Sequence, residues 1–194
     1  MNLFLRAKHW QLFLATFGIP MLVQIVVMAN MMSSLMHKQN PAAMGLYFSL
    51  FPVIMIIFAG TLMGWMWSVA IGLQKLVPPN VKMKVMKFKI FFFIPLVYIA
   101  LISIFFIFAI DGHVMNNDQP GVMFFSSFAI IVPIHLFAMF CMFYSLYFVA
   151  KTFKTVELQR AVNFSDFLGD FFMIWFFPIG IWVIQPKINK MVNT

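Results

Sequence analysis

Few side chains in this sequence could do chemistry, so their spacing carries the reading. His135 lies near the middle of a long apolar run, two residues after Pro133. An ionisable group at that depth can relay a proton, ligate a metal or join two helices. Gln24 is the other strongly polar side chain at comparable depth. One imidazole and one amide are too few stations for a proton path. The expectation is a neutral His135 hydrogen-bonded across a helix interface, with Gln24 as candidate partner. Asp166 and Asp170 stand four apart, on one face of a helix capped by Asn163 or Ser165. Paired carboxylates can bind a cation or exchange protons, but at a helix start they usually cap and stay solvated. Glu157 and Arg160, three apart, are spaced to pair.

Sulfur is the other candidate chemistry. The chain has 18 Met and a single Cys, Cys141. Met28/Met31, Met63/Met66, Met83/Met86 and Met139/Met142 are each three apart. With Cys141 and His135 such thioethers resemble a soft Cu(I) ligand set. Phe is equally inflated, at 27 residues, so a bias toward large apolar side chains accounts for most of the methionine. No metal and no cofactor is expected. His113, Asp111 and Asp118 have no ligand spacing, and there is no H-E-x-x-H, Walker-type glycine loop, C-x-x-C or G-x-S-x-G. An enzyme is therefore the less favoured class.

These residues sit in a chain of 194 residues that is 63% hydrophobic and 9% charged, with mean hydropathy +0.97. Soluble domains carry about 25% charged residues, so a soluble globule and a disordered tail are both excluded. The expected class is an all-α integral membrane bundle. Four apolar blocks, 10–32, 46–73, 88–110 and 122–150, are long enough to span a bilayer. The first follows Arg6 and Lys8 as a signal peptide would, but it is too long for one and lacks a small-residue cleavage site, so it reads as an uncleaved span. A fifth block, 171–184, is short and contains Pro178 and Gly180. As a straight helix it would reach about 21 Å against a hydrocarbon core of about 30 Å. It is expected to be re-entrant or interfacial in preference to crossing. The polar stretch 151–170 is expected to form a cytoplasmic amphipathic helix, which divides the chain into a membrane domain, 1–150, and a C-terminal region, 151–194.

Charge placement orients the chain. With a cytoplasmic N-terminus and four crossings, 12 of the 13 basic residues lie inside and only Lys38 outside. If the fifth block crosses, the split becomes 10 against 3. Both obey the positive-inside rule, and the first does so better. The net charge of +8 thus reports topology and anionic lipid, not nucleic acid. Lys82, Lys84, Lys87 and Lys89 are the expected headgroup contacts.

Two packing signals remain. Gly60, Gly64, Ser68 and Gly72 recur every four residues, a stripe that lets another helix approach closely. Each apolar block also holds a proline, Pro20, Pro52, Pro95, Pro133 or Pro178, which frees a carbonyl. Prolines are common enough in membrane helices to need no functional reason.

The run WFFPIGIWVIQPKIN, 175–189, preceded by SDFLGD, 165–170, resembles the ending of small uncharacterised multi-pass bacterial membrane proteins. The resemblance implies a protein of the bacterial inner membrane and carries no activity with it. The leading expectation is a non-enzymatic membrane accessory or subunit protein acting through helix contacts, with a membrane-protein partner or a second copy of itself. The first rival is a small solute or ion transporter or channel using proline-broken helices with Gln24 and His135. The second is a lipid-modifying enzyme, which would need Asp166 and Asp170 to converge with His113 or His135.

Overall fold

The computed structural model describes residues 2–36, 42–116 and 122–193, with side chains for 3–33, 54, 56–102, 104 and 129–193. Among the described residues every regular element is helical. Short α1 (Asn2–Arg6) precedes α2 (His9–Phe13), which runs through a π turn, Leu14–Gly18, into α3 (Ile19–Met36). Then come α4 (Ala42–Gly72) with a 3-10 turn (Leu73–Leu76), α5 (Val85–Asn116), α6 (Val122–Leu158), α7 (Phe164–Trp175) and α8 (Phe177–Asn193). Four helical stretches are long and apolar enough to cross a membrane: His9–Ser33, Ile56–Leu76, Val85–Ile102 and Ala129–Leu158. These fall on the four blocks expected from hydropathy. Lys38 and Asp118 lie outside the described residues, as do the side chains of Asp111, His113 and Pro52.

Pro95 and Pro133 sit inside uninterrupted helices. Pro20 follows the π turn, where the backbone already departs from the regular ladder that a proline cannot join. Pro178 lies in the first turn of α8, where no intrahelical donor is required.

The chain forms two compact units. One comprises Met1–Val81 with Val149–Thr194, the other Lys82–Phe148. The polar stretch 151–170 is shared between two helices. Its first half simply continues α6 to Leu158. The break comes at Gln159, whose φ of 51° ends the helix. Its side-chain amide donates to the Val156 carbonyl at 2.8 Å and the Leu76 carbonyl at 3.2 Å, which satisfies acceptors that a helix end leaves open. A new helix, α7, then begins at Phe164.

In the first unit α1 lies on α4 and α8, and α7 packs on α8. The core is built from Met63, Trp65, Met66, Val69, Leu73, Phe153, Phe167, Ile174, Ile181, Ile184 and Ile188. The fifth apolar block is not one helix. It breaks at Phe176 (φ −86°, ψ 56°) between α7 and α8. At 12 and 17 residues, these two helices are each about 18 and 26 Å long, and neither is among the membrane-length helices. The corner is tight. The Phe176 carbonyl accepts from the amides of Ile179 and Gly180 at 3.0 Å each. A Cβ at Gly180 would run into the Met173 carbonyl.

The second unit is a hairpin of α5 against the earlier part of α6. Phe88 stacks on Phe148 with ring centroids 4.8 Å apart, and Phe91 meets Tyr144 at 4.7 Å. Tyr98 meets His135 at 5.5 Å. The partners move down α6 as they move up α5, so the two helices run antiparallel. Phe88, Phe92, Ala138, Cys141 and Leu146 form the buried side.

Candidate functional site

The densest polar grouping lies where α6, α7 and α8 meet in the first unit. The Lys154 ammonium is 2.6 Å from Glu157 Oε2 and 3.1 Å from Asp170 Oδ2. Lys187 reaches Glu157 Oε1 at 2.8 Å and lies 5.9 Å from the Phe153 ring centroid. Two cations and two anions therefore alternate, Lys187–Glu157–Lys154–Asp170, and tie three helices together. Asp170 is buried at 9% exposure, and Lys154 supplies the opposite charge that burial of a carboxylate calls for. With every charge matched, the chain of pairs offers no free base or nucleophile. Its chemistry is that of a staple.

Asp166 takes no part in it. Its carboxylate accepts from Arg160 at 3.1 and 3.2 Å and from the Asn163 backbone amide at 2.9 Å. That makes it the third residue of a capping box on α7, with Asn163 as the N-cap. The Arg160 bonds, and then the Asn163 amide, hold its carboxyl below the usual aspartate range. The two aspartates, four apart in sequence, thus answer to different cations. The expected Glu157–Arg160 pair is likewise replaced: the bend at Gln159 takes Arg160 off the helix that carries Glu157. Helical spacing predicts such pairs only while the helix lasts.

Sequence reading missed the most buried polar contact. Gln185 is fully buried on α8. Its Oε1 accepts from the Trp65 indole N–H at 2.7 Å, and its Nε2 donates to the carbonyls of Phe4 at 2.9 Å and Ala7 at 2.8 Å. Asn189, one turn on, donates to the carbonyls of Leu5 at 2.9 Å and Ala7 at 3.2 Å. Together they satisfy the open carbonyls at the end of α1, which is too short to satisfy them itself. The available signal was an amide at the end of an apolar run, with Asn four residues later on the same face. The small-residue stripe points to the same helix. Cβ atoms at Gly64 and Gly72 would meet the side chains of Phe4 and Leu5, and Ser68 is buried. The neighbour admitted by the stripe is therefore α1 of the same chain. Gly60, at its far end, faces open space.

In the second unit His135 Nδ1 and the Tyr98 hydroxyl are 2.9 Å apart. The expected role of His135 in joining helices is met by a residue that sequence reading did not single out. Gln24 is half-buried on α3, in the first unit, with an interaction of its own. His135 itself is exposed, as are Ile130, Val132, Ile134, Leu136, Phe137, Met139 and Phe140 around it. Among the described residues no three His, Cys, Asp or Glu side chains come together as a metal site. Met63 and Met66 belong to the core, whereas Met28, Met86 and Met139 face outward. The chain matches no protein-family model, no curated protein and no solved structure.

Proposed function

We propose that this chain is a multi-pass accessory or subunit protein of the bacterial inner membrane that acts through helix contacts and performs no catalysis. The observation that carries the reading is the Tyr98–His135 pair, which joins α5 to α6 and leaves its imidazole exposed on an otherwise apolar stretch of α6. Facing lipid, an imidazole and a phenol can bond only to each other, leaving the second imidazole nitrogen without a partner in hydrocarbon. Against the helix of a second membrane-embedded chain, that nitrogen gains one. The matched charges of the α6–α8 staple and the polar groups of the α1–α8 contact are used internally, so neither competes as a working site.

The orientation follows from the same parts. Bonds from Gln185 and Asn189 to residues 4–7 hold α1 and α8 at one depth, which favours an even number of crossings and a fifth block that stays at the interface. Lysine placement then puts that face in the cytoplasm.

The test is cross-linking and co-purification in native membranes. Wild-type chain is expected to give a discrete dimer or heteromer. Tyr98→Phe with His135→Ala is expected to lose it while the monomer keeps its thermal stability. A chain that remains monomeric under cross-linking would overturn the proposal. Orientation is checked with a cysteine at Asn193 in a Cys141→Ser background. It should react only with reagent admitted to the cytoplasmic side, and labelling from outside would reverse the topology.

A further inference from the structure

A groove of about 630 Å³ opens between α1, α2 and α4 in the first unit. Among the residues that line it are Phe4, Arg6, Gln11, Leu12, Ala15 and Thr61. Its volume is within the usual range of small-molecule sites. The polar groups are gathered at one end. Arg6 is exposed and has no ion pair among the described residues. Gln11 spends its carbonyl oxygen on the Lys8 amide at 2.9 Å, so its NH2 remains as a donor. Away from this end the wall is Leu12, then Ala15 within the π turn, then Thr61. Next to Thr61, Gly60 leaves open space where other residues would carry a side chain.

The direction of this gradient matters. Arg6 precedes the first membrane-length helix and Gln11 lies in its first turn, which in a crossing helix is the headgroup level, whereas Ala15 lies further toward the hydrocarbon. A cationic and amide end at the interface with an apolar trough leading inward matches an amphiphile with an acidic head. Charge points the same way: no Asp or Glu occurs before Asp111, so nothing in the groove competes for the guanidinium. A guanidinium fork and an amide N–H suit phosphate oxygens.

We propose that this groove is a binding site for one anionic phospholipid, its phosphate on Arg6 and Gln11 and an acyl chain along Leu12, Ala15 and Thr61. The lysines at 82–89 do not line it. It rests on the membrane orientation of His9–Ser33 proposed above, and does not depend on the helix partner at His135.

The probe is a photoactivatable phosphatidylglycerol, used with the full chain in phosphatidylcholine nanodiscs and compared with the matching phosphatidylcholine probe. Phosphatidylglycerol is expected to label peptides covering residues 3–15 and Thr61 in preference. Arg6→Gln should cut that labelling about fivefold, and Arg6→Lys should retain most of it. Thr61→Trp should block it by filling the trough with Arg6 intact. Changing Lys82, Lys84, Lys87 and Lys89 together to Gln should leave it unaltered. Equal labelling by the two probes would overturn the proposal, as would labelling that follows the four lysines or that ignores both Arg6→Gln and Thr61→Trp. The cysteine test at Asn193 separately reports whether the orientation has failed instead.

Discussion

The two compact units solve the same problem with opposite materials. In the first, long polar side chains are buried with partners from other helices: Gln185 with Trp65 and the α1 carbonyls, Asp170 with Lys154. Small residues on α4 bring α1 close. In the second, α5 and α6 meet mainly through aromatic rings, and a polar pair between the two helices, Tyr98 with His135, leaves its imidazole exposed. Polar contacts between helices are thus buried in one unit, whereas the Tyr98–His135 contact of the other is on display. A buried hydrogen-bonded group is costly to orphan, whereas an exposed one is costly only if nothing covers it.

That contrast can be broken by mutation. The largest effect is expected from Gln185→Leu, which strands the Trp65 N–H and removes two bonds to α1. Orphaning buried groups at about 1–3 kcal/mol each predicts a loss of roughly 3 kcal/mol or more, read as denaturant or thermal unfolding in detergent. Gly180→Ala comes next. The added methyl group meets backbone and cannot be relieved by a rotamer change, so the α7–α8 corner must open, at about 2–3 kcal/mol by the same measurement. His135→Ala is expected to cost under about 1 kcal/mol, although it should abolish association. If it destabilised the monomer as much as Gln185→Leu, the contrast between the units would be false.

The smallest effect concerns acid. Asp166 has a lowered folded-state value, so its contribution is present above the unfolded aspartate value of about 3.9 and is lost only as pH falls through the lower folded one. The Arg160–Asp166 corner should therefore survive at pH 4 and open on further acidification. The Asp166 carboxyl carbon shift, followed by NMR through the titration, checks this. A midpoint at or above the ordinary aspartate value would remove Arg160 as its partner.

The four long apolar helices were legible because hydropathy alone sets them. The cap on α7 was legible because Asn163 and Asp166 are three apart and act locally. What was not legible was long-range or depended on a single backbone angle. The end of α6 was not legible, because it falls at Gln159, a non-glycine residue at positive φ that gives no turn signal. The stripe on α4 announced a close neighbour without naming it, because α1 is only five residues long and shows no periodicity. Tyr98 could not be paired with His135 from sequence, since their 37-residue separation is fixed by hairpin register. Gln185 looked like a boundary residue because burial of an amide depends on acceptors about 180 positions away.

That last distance bears on how the protein comes into being. During synthesis the segment holding residues 4–7 is made first, and the amides that cap it come more than 170 residues later. Until then the carbonyls of α1 must be hydrated or held by something else. Any chain interrupted before Gln185 would keep its opening segment undocked however well its long helices insert, so completion of the tail serves as the checkpoint for the head.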